Sequence, residues 1–96
     1  MKTGEILHLL REHKPGLAAR FGVRRLDLFG SCARGEQSVG SDVDILVEFD
    51  EVPSLLRLVR LENHLTDLLG VKVDLVLKDG LKPRISQRVA EEAVPV

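Results

Sequence analysis

The chain contains no tryptophan and no tyrosine, a single cysteine, and three phenylalanines, Phe21, Phe29 and Phe49. So few rings leave little from which to build a stacking platform for single-stranded nucleic acid. A lone Cys32 excludes an internal disulfide framework and fits a reducing compartment. No apolar run approaches the roughly 20 residues of a membrane span. Glu5, Arg11, Glu12, Lys14 and Arg20 interrupt the opening segment, so no signal-peptide core is expected there. An excess of one charge sign is also missing: 14 Lys+Arg stand against 15 Asp+Glu, a net charge of −1. That balance argues against a protein whose main task is coating nucleic acid, which is not expected as a direct ligand. What is present is 96 residues, 44% of them hydrophobic, without internal repeat, low-complexity tract or linker. The expectation is one domain over 1–96 with a single core, soluble and cytoplasmic, with no membrane partner.

Turn signals cut the chain into short elements. Residues 3–21 read as helix, with Thr3 as a cap and Ile6, Leu10, Leu17 and Phe21 at helical spacing. Pro15 predicts a kink or two short helices meeting near Lys14. From Val23 the period becomes two, Leu26 and Leu28 sharing one face of a strand that stops at Gly30. Residues 31–41 are too rich in small residues for a long regular element, although Cys32-Ala33-Arg34 fits one helical turn. Asp42 to Phe49 alternates: Val43, Ile45, Val47 and Phe49 on one face, Asp42, Asp44 and Glu48 on the other. Residues 50–53 form a turn. Ser54 to Leu69 is a Leu-rich helix ended by Gly70. Val71 to Leu77 alternates again, with Lys72 and Asp74 opposite the apolar set, and Asp79-Gly80 turns the chain into a last helix over 81–93. The sum is a mixed α/β (α+β) fold around a sheet of three strands or slightly more.

The alternation matters most for the carboxylates. Asp42 and Asp44 are two apart on one strand and project from one face, roughly 6–7 Å apart at the backbone. Asp74 lies on the next strand, also opposite its apolar set. If the strands are neighbours, three carboxylates converge on one patch, a repulsive arrangement that stability does not favour. A hard divalent cation does favour it: Mg²⁺ rests on one or two carboxylates plus substrate phosphates. Two such ions can clamp the attacking and leaving oxygens of a phosphoryl transfer. The plainer reading is that half-exposed strands alternate polar with apolar and Asp is an allowed polar residue, although Asp is depleted in strands. Gly30-Ser31 at the first strand's end lets a backbone approach a phosphate, yet alone it is an ordinary turn.

Taken together, Leu28-Phe29-Gly30-Ser31, Ala33-Arg34-Gly35-Glu36 and Ser41-Asp42-Val43-Asp44-Ile45-Leu46-Val47 resemble the signature of the polymerase-β-type nucleotidyltransferase superfamily: Gly-Ser, ten residues, Asp-x-Asp. The resemblance is closest to the minimal nucleotidyltransferases, covers nearly the whole chain, and includes Val73-Asp74-Leu75-Val76 as the strand of the third carboxylate. It implies a palm-like nucleotidyltransferase fold, with Mg²⁺ (two ions) as cofactor and ATP as substrate. Asp42 and Asp44 would bind the metals that carry the nucleoside triphosphate. Asp74 would bind the catalytic metal and help activate the acceptor hydroxyl. Gly30 and Ser31 would hold the β- and γ-phosphates. Arg34 would either neutralise a phosphate or pair with Glu36 or another acid, and Ser41 reads as a turn residue.

Minimal nucleotidyltransferases are commonly paired with small helical HEPN toxins, as antitoxins that transfer AMP from ATP to a toxin tyrosine. The resemblance therefore implies a Mg²⁺-dependent protein adenylyltransferase with a HEPN-type partner. Two other functions stay open: nucleotidyl transfer to a small molecule, and a non-catalytic module that neutralises its partner by contact. The remaining polar residues have plain readings. His8, His13 and His64 show no metal spacing and read as surface residues, and Cys32 as a small buried or half-buried one. Arg57, Arg60 and His64 form a solvated helix face, and Lys82, Arg84 and Arg88 either reach a triphosphate or partner or lie on an exposed last helix.

Overall fold

The structure, a computed structural model, describes residues 3–30, 42–78 and 91–96. Helix α1 spans Thr3–Phe21 and buries Ile6, Leu10, Leu17 and Phe21, the row that helical spacing selects. A single helix runs through Pro15, where two helices were one expectation. Proline removes only the amide bond that would reach the Arg11 carbonyl. Fully buried Leu10 and nearly buried Leu17 anchor the turns on either side.

Strand β1 (Val23–Phe29) pairs antiparallel with β2 (Val43–Phe49). Helix α2 (Leu55–Leu69) crosses back over the sheet to β3 (Val73–Leu77), which pairs parallel with β2. Both ends of α2 follow its sequence. The Ser54 hydroxyl accepts the Arg57 amide at 3.1 Å, and Gly70, at φ 71°, closes the last turn by donating to the Thr66 carbonyl. Its core row is Leu61, Leu65 and Leu69, with Leu58 and Leu68 packed at the margin.

Two expectations need correction. The third strand starts at Val73, because Val71 lies in the bend after the helix cap. The helix expected over 81–93 falls outside the described residues except at its end: Glu91 and Glu92 are helical as expected, Ala93 is already irregular, and Val94–Pro95 form a strand, β4, along β1. Two residues carry no readable alternation, and Pro is tolerated on an edge strand. Arg11 and Lys14 of α1 hold β4 by donating to the Pro95 and Val96 carbonyls at 3.2 and 3.0 Å.

The described strands form one sheet in the order β3-β2-β1-β4. Leu26 and Leu28, Val43, Ile45 and Val47, and Val73 share one face and meet the buried residues of α1 and α2. Both helices thus cover the same face. The opposite face carries the acids.

Candidate active site

Register brings the carboxylates together. Asp44 on β2 is the Cα partner of Asp74 on β3 and of Phe29 on β1. Register partners share a face, so Asp44 and Asp74 point the same way, and Asp42, two residues back, joins them. The separation of two strands in sequence by a whole helix has vanished in space. Asp44 is half-buried and Asp74 exposed. Asp42 sits just before β2, where the Val43 amide donates to the Lys72 carbonyl at 2.9 Å, and Lys72 Nζ stands 3.9 Å from Asp42 Oδ2.

Like charges directly across a sheet repel. The Asp44 carboxyl titrates above the usual carboxylate range, first because burial disfavours its charge and then because Asp74 and Asp42 add negative potential. Gly30 meets this group from β1. It has φ +73°, and a β-carbon there would overlap Asp44 Oδ2 and lie 3.3 Å from its Cγ. Only glycine supplies both the backbone angle and the space. The strand end is therefore built to let backbone approach the central carboxylate.

Among the described residues no three His, Cys, Asp or Glu side chains are gathered closely enough to hold a metal unaided. Mg²⁺ keeps several non-protein ligands and is completed by substrate phosphates, so an open set of carboxylates suits it better than a closed cage. The residues fit the ion in kind. Ser31, Arg34 and Ser41, with Cys32 and Glu36, lie outside the described residues.

Three residues near the acids escaped the sequence reading. Asp27, two positions before Phe29 on the acidic face, is only 5% exposed. Arg25 Nε lies 3.2 Å from each of its oxygens, so it already has a counter-ion. Glu62 and Thr66 of α2 reach the outer edge of β3. Glu62 Oε2 accepts the Leu75 amide and Thr66 Oγ1 the Val73 amide, each at 3.1 Å. Two amides flanking Asp74 are thereby satisfied, and the edge strand is tied to the helix that precedes it. The signal was present in the spacing, four apart on a helix against two apart on a strand, but only the topology gives it meaning. His64, expected at the surface, is half-buried with its ring 5.5 Å from Phe21; His8 and His13 are exposed. Two clefts formed by described residues lie away from the acids, one lined by Phe49, Asp50, Val52 and Leu77, another by Arg20, Phe21, Arg60 and His64.

A family model described as "Nucleotidyltransferase domain" matches residues 10–96. The chain belongs to the nucleotidyltransferase family. It is 52% identical over 92 residues to "Protein adenylyltransferase MntA" of Thermococcus cleftensis, covering 96% of this chain and 93% of that one. A solved structure described as a candidate minimal nucleotidyltransferase superposes with a TM-score of 0.85 at 46% identity, covering 100% of this chain and 97% of the other. A chain from a crystal structure of a toxin–antitoxin with AMP-PNP superposes with a TM-score of 0.72 at 26% identity, covering 99% of this chain and 72% of that chain. These matches make it a minimal nucleotidyltransferase and an enzyme, with the α+β fold that its pattern predicts. Among the described residues of this nucleotidyltransferase no helix is long and apolar enough to cross a membrane.

Proposed function

We propose that this nucleotidyltransferase is a Mg²⁺-dependent protein adenylyltransferase, an antitoxin that moves AMP from ATP onto a tyrosine of a HEPN-type helical toxin. The observation that carries the reading is the pairing of Asp44 with Asp74 across β2 and β3, with Gly30 against Asp44. A pure binding module gains nothing from an acidic cluster whose central member is pushed toward its neutral form by its neighbours. The name of the Thermococcus relative and the nucleotide analogue in the toxin–antitoxin structure support the same direction.

In this reading Asp42, Asp44 and Asp74 hold two Mg²⁺ ions. The metal, when bound, offsets the negative charge of the triphosphate and of the transition state. Gly30, lacking a side chain, leaves room for a phosphate beside Asp44, and Ser31 follows it as the hydroxyl donor to the β- and γ-phosphates, with Arg34 as a cation for the same groups. The acceptor oxygen forms a bond to the α-phosphorus as the bond to pyrophosphate breaks. Asp74, exposed at the edge of the acidic patch, receives the acceptor proton, and pyrophosphate leaves. Tyrosine suits this step, since a phenol with pKa about 10 gives up its proton far more readily than an aliphatic hydroxyl. The chain has no tyrosine of its own, so the acceptor arrives on another molecule.

Incubation with isotope-labelled ATP, Mg²⁺ and the helical partner separates this reading from its rivals. Label on the partner supports protein adenylylation. Label on an added small-molecule alcohol or aminoglycoside, with the partner unmodified, replaces it with small-molecule transfer. Inhibition of the partner with no label anywhere replaces it with neutralisation by contact.

A further inference from the structure

The two acids around the start of β2 meet different neighbours from β3. Asp44 is the register partner of Asp74, a like charge, whereas Asp42 lies one position before the paired Val43 and Val73, beside Lys72. The Val43 amide donates to the Lys72 carbonyl at 2.9 Å, which fixes that juxtaposition through backbone. Lys72 Nζ stands 3.9 Å from Asp42 Oδ2. The other Lys and Arg ion pairs among the described residues, those of Arg24, Arg25 and Lys78, go to Asp27, Glu48 and Asp50 instead. Lys72 is thus the described cation that an ion pair ties to the acidic patch.

Stability gives this pair little to do. The Lys72 side chain is 72% exposed, and so exposed an ion pair contributes little to a fold. At 3.9 Å the ammonium is too far from Asp42 for a hydrogen bond, which leaves its donors open to other acceptors. A triphosphate brings acceptors to this spot. Asp42, in the functional reading above, takes a Mg²⁺ that also holds phosphate oxygens, and oxygens sharing one such ion stand about 3 Å apart. A phosphate oxygen beside Asp42 then falls within reach of Nζ on its flexible four-carbon stem. The three acids and the triphosphate are all negative, so a cation among them has more to offset once nucleotide is bound.

We propose that Lys72 is a triphosphate-binding residue, its ammonium leaving Asp42 for the phosphates of the nucleotide when Asp42 turns to the metal. The inference rests on the functional reading above and adds a residue to its site. Gly30 meets the acids from β1 and Lys72 meets them from the start of β3, so the triphosphate is held from both strands that flank β2. A point charge on a flexible stem suits this exchange, because it follows a phosphate without demanding a fixed geometry.

Titration calorimetry with the α,β-methylene analogue of ATP, which cannot donate AMP, tests the proposal without any acceptor. In the presence of Mg²⁺ wild type should bind the analogue, and Lys72→Met should weaken binding roughly tenfold, the loss of one charge-assisted contact. Lys72→Arg should recover most of that loss. Binding of Mn²⁺ alone, followed by electron paramagnetic resonance, should be no weaker in Lys72→Met, since a nearby positive charge has been removed. The free variant should melt as wild type does. Analogue affinity unchanged in Lys72→Met would overturn the proposal, and so would unchanged affinity with a raised KM for the helical partner, which would assign Lys72 to the acceptor. A parallel loss of Mn²⁺ would overturn it too, by making Lys72 a support for Asp42 alone. A wild type that binds no analogue at all would instead overturn the functional reading on which the proposal rests.

Discussion

Gly30 and Asp44 are in such close approach that no side chain fits between them: a β-carbon on Gly30 would overlap Asp44 Oδ2. The positive φ of Gly30 adds a second demand at the same residue. Gly30→Ala should therefore strain the backbone, costing on the order of 1–2 kcal/mol, and displace the Asp44 carboxylate, abolishing most transfer. Thermal melts and a transfer assay check both effects. An alanine variant with wild-type transfer would mean that the close approach serves packing alone.

Asp44→Asn keeps the size of the side chain and removes its charge. The fold should survive and transfer should fall by orders of magnitude. The stability effect has a definite sign. The folded-state pKa of Asp44 is raised above its unfolded value. Its contribution to stability is thus fully present below the unfolded value and lost as pH rises through the folded one. At neutral pH the free Asn variant should equal or slightly exceed wild type, and the advantage should vanish on acidification into the carboxylate range. Urea unfolding across that range provides the test, and an Asn variant equally less stable at every pH would contradict the assignment of repulsion.

Substrate should stabilise the fold through the same carboxylates. Addition of Mg²⁺ and ATP should raise the melting temperature of wild type as ligand binding to the native state requires. A chelator should abolish the gain, and Asp44→Asn should show little of it. A gain that survives chelation would remove Mg²⁺ from the nucleotide site.

Glu62 and Thr66 hold the edge strand on which Asp74 sits. Thr66→Val preserves shape but leaves the Val73 amide without its acceptor, and Glu62→Ala does the same at Leu75. Each should cost about 1–2 kcal/mol and speed hydrogen exchange at its own amide. Transfer should decline as β3 loosens. Unchanged exchange at Val73 and Leu75 would show that water replaces these acceptors without cost.

Much of this site is written in residue spacing. Alternation over Asp42 to Phe49 and around Asp74 reveals which face each acid takes, because the strand period is fixed by backbone geometry. Ser54 and Gly70 mark the ends of α2 through local hydrogen bonds that any such helix would make. Sequence does not reveal that β2 and β3 are in register at Asp44 and Asp74; that follows from the crossover helix returning the chain parallel to its own earlier strand. Nor does it reveal Leu46, buried at 5% exposure on the acidic face, or the buried Asp27 and its ion pair with Arg25. β4 is invisible for a different reason. Val94–Pro95 is stabilised by β1 and by Arg11 and Lys14 from the far end of the chain, and nothing local specifies it.

Intact-mass spectrometry of the enzyme and its helical partner, incubated together with Mg²⁺ and ATP, tests the central claim most directly. The tyrosine-free enzyme should keep its own mass, and the partner should gain increments of AMP mapped to tyrosine. The partner's gain should be lost with Asp44→Asn. An unmodified partner, with AMP appearing instead on a serine or threonine of the enzyme, would contradict the account.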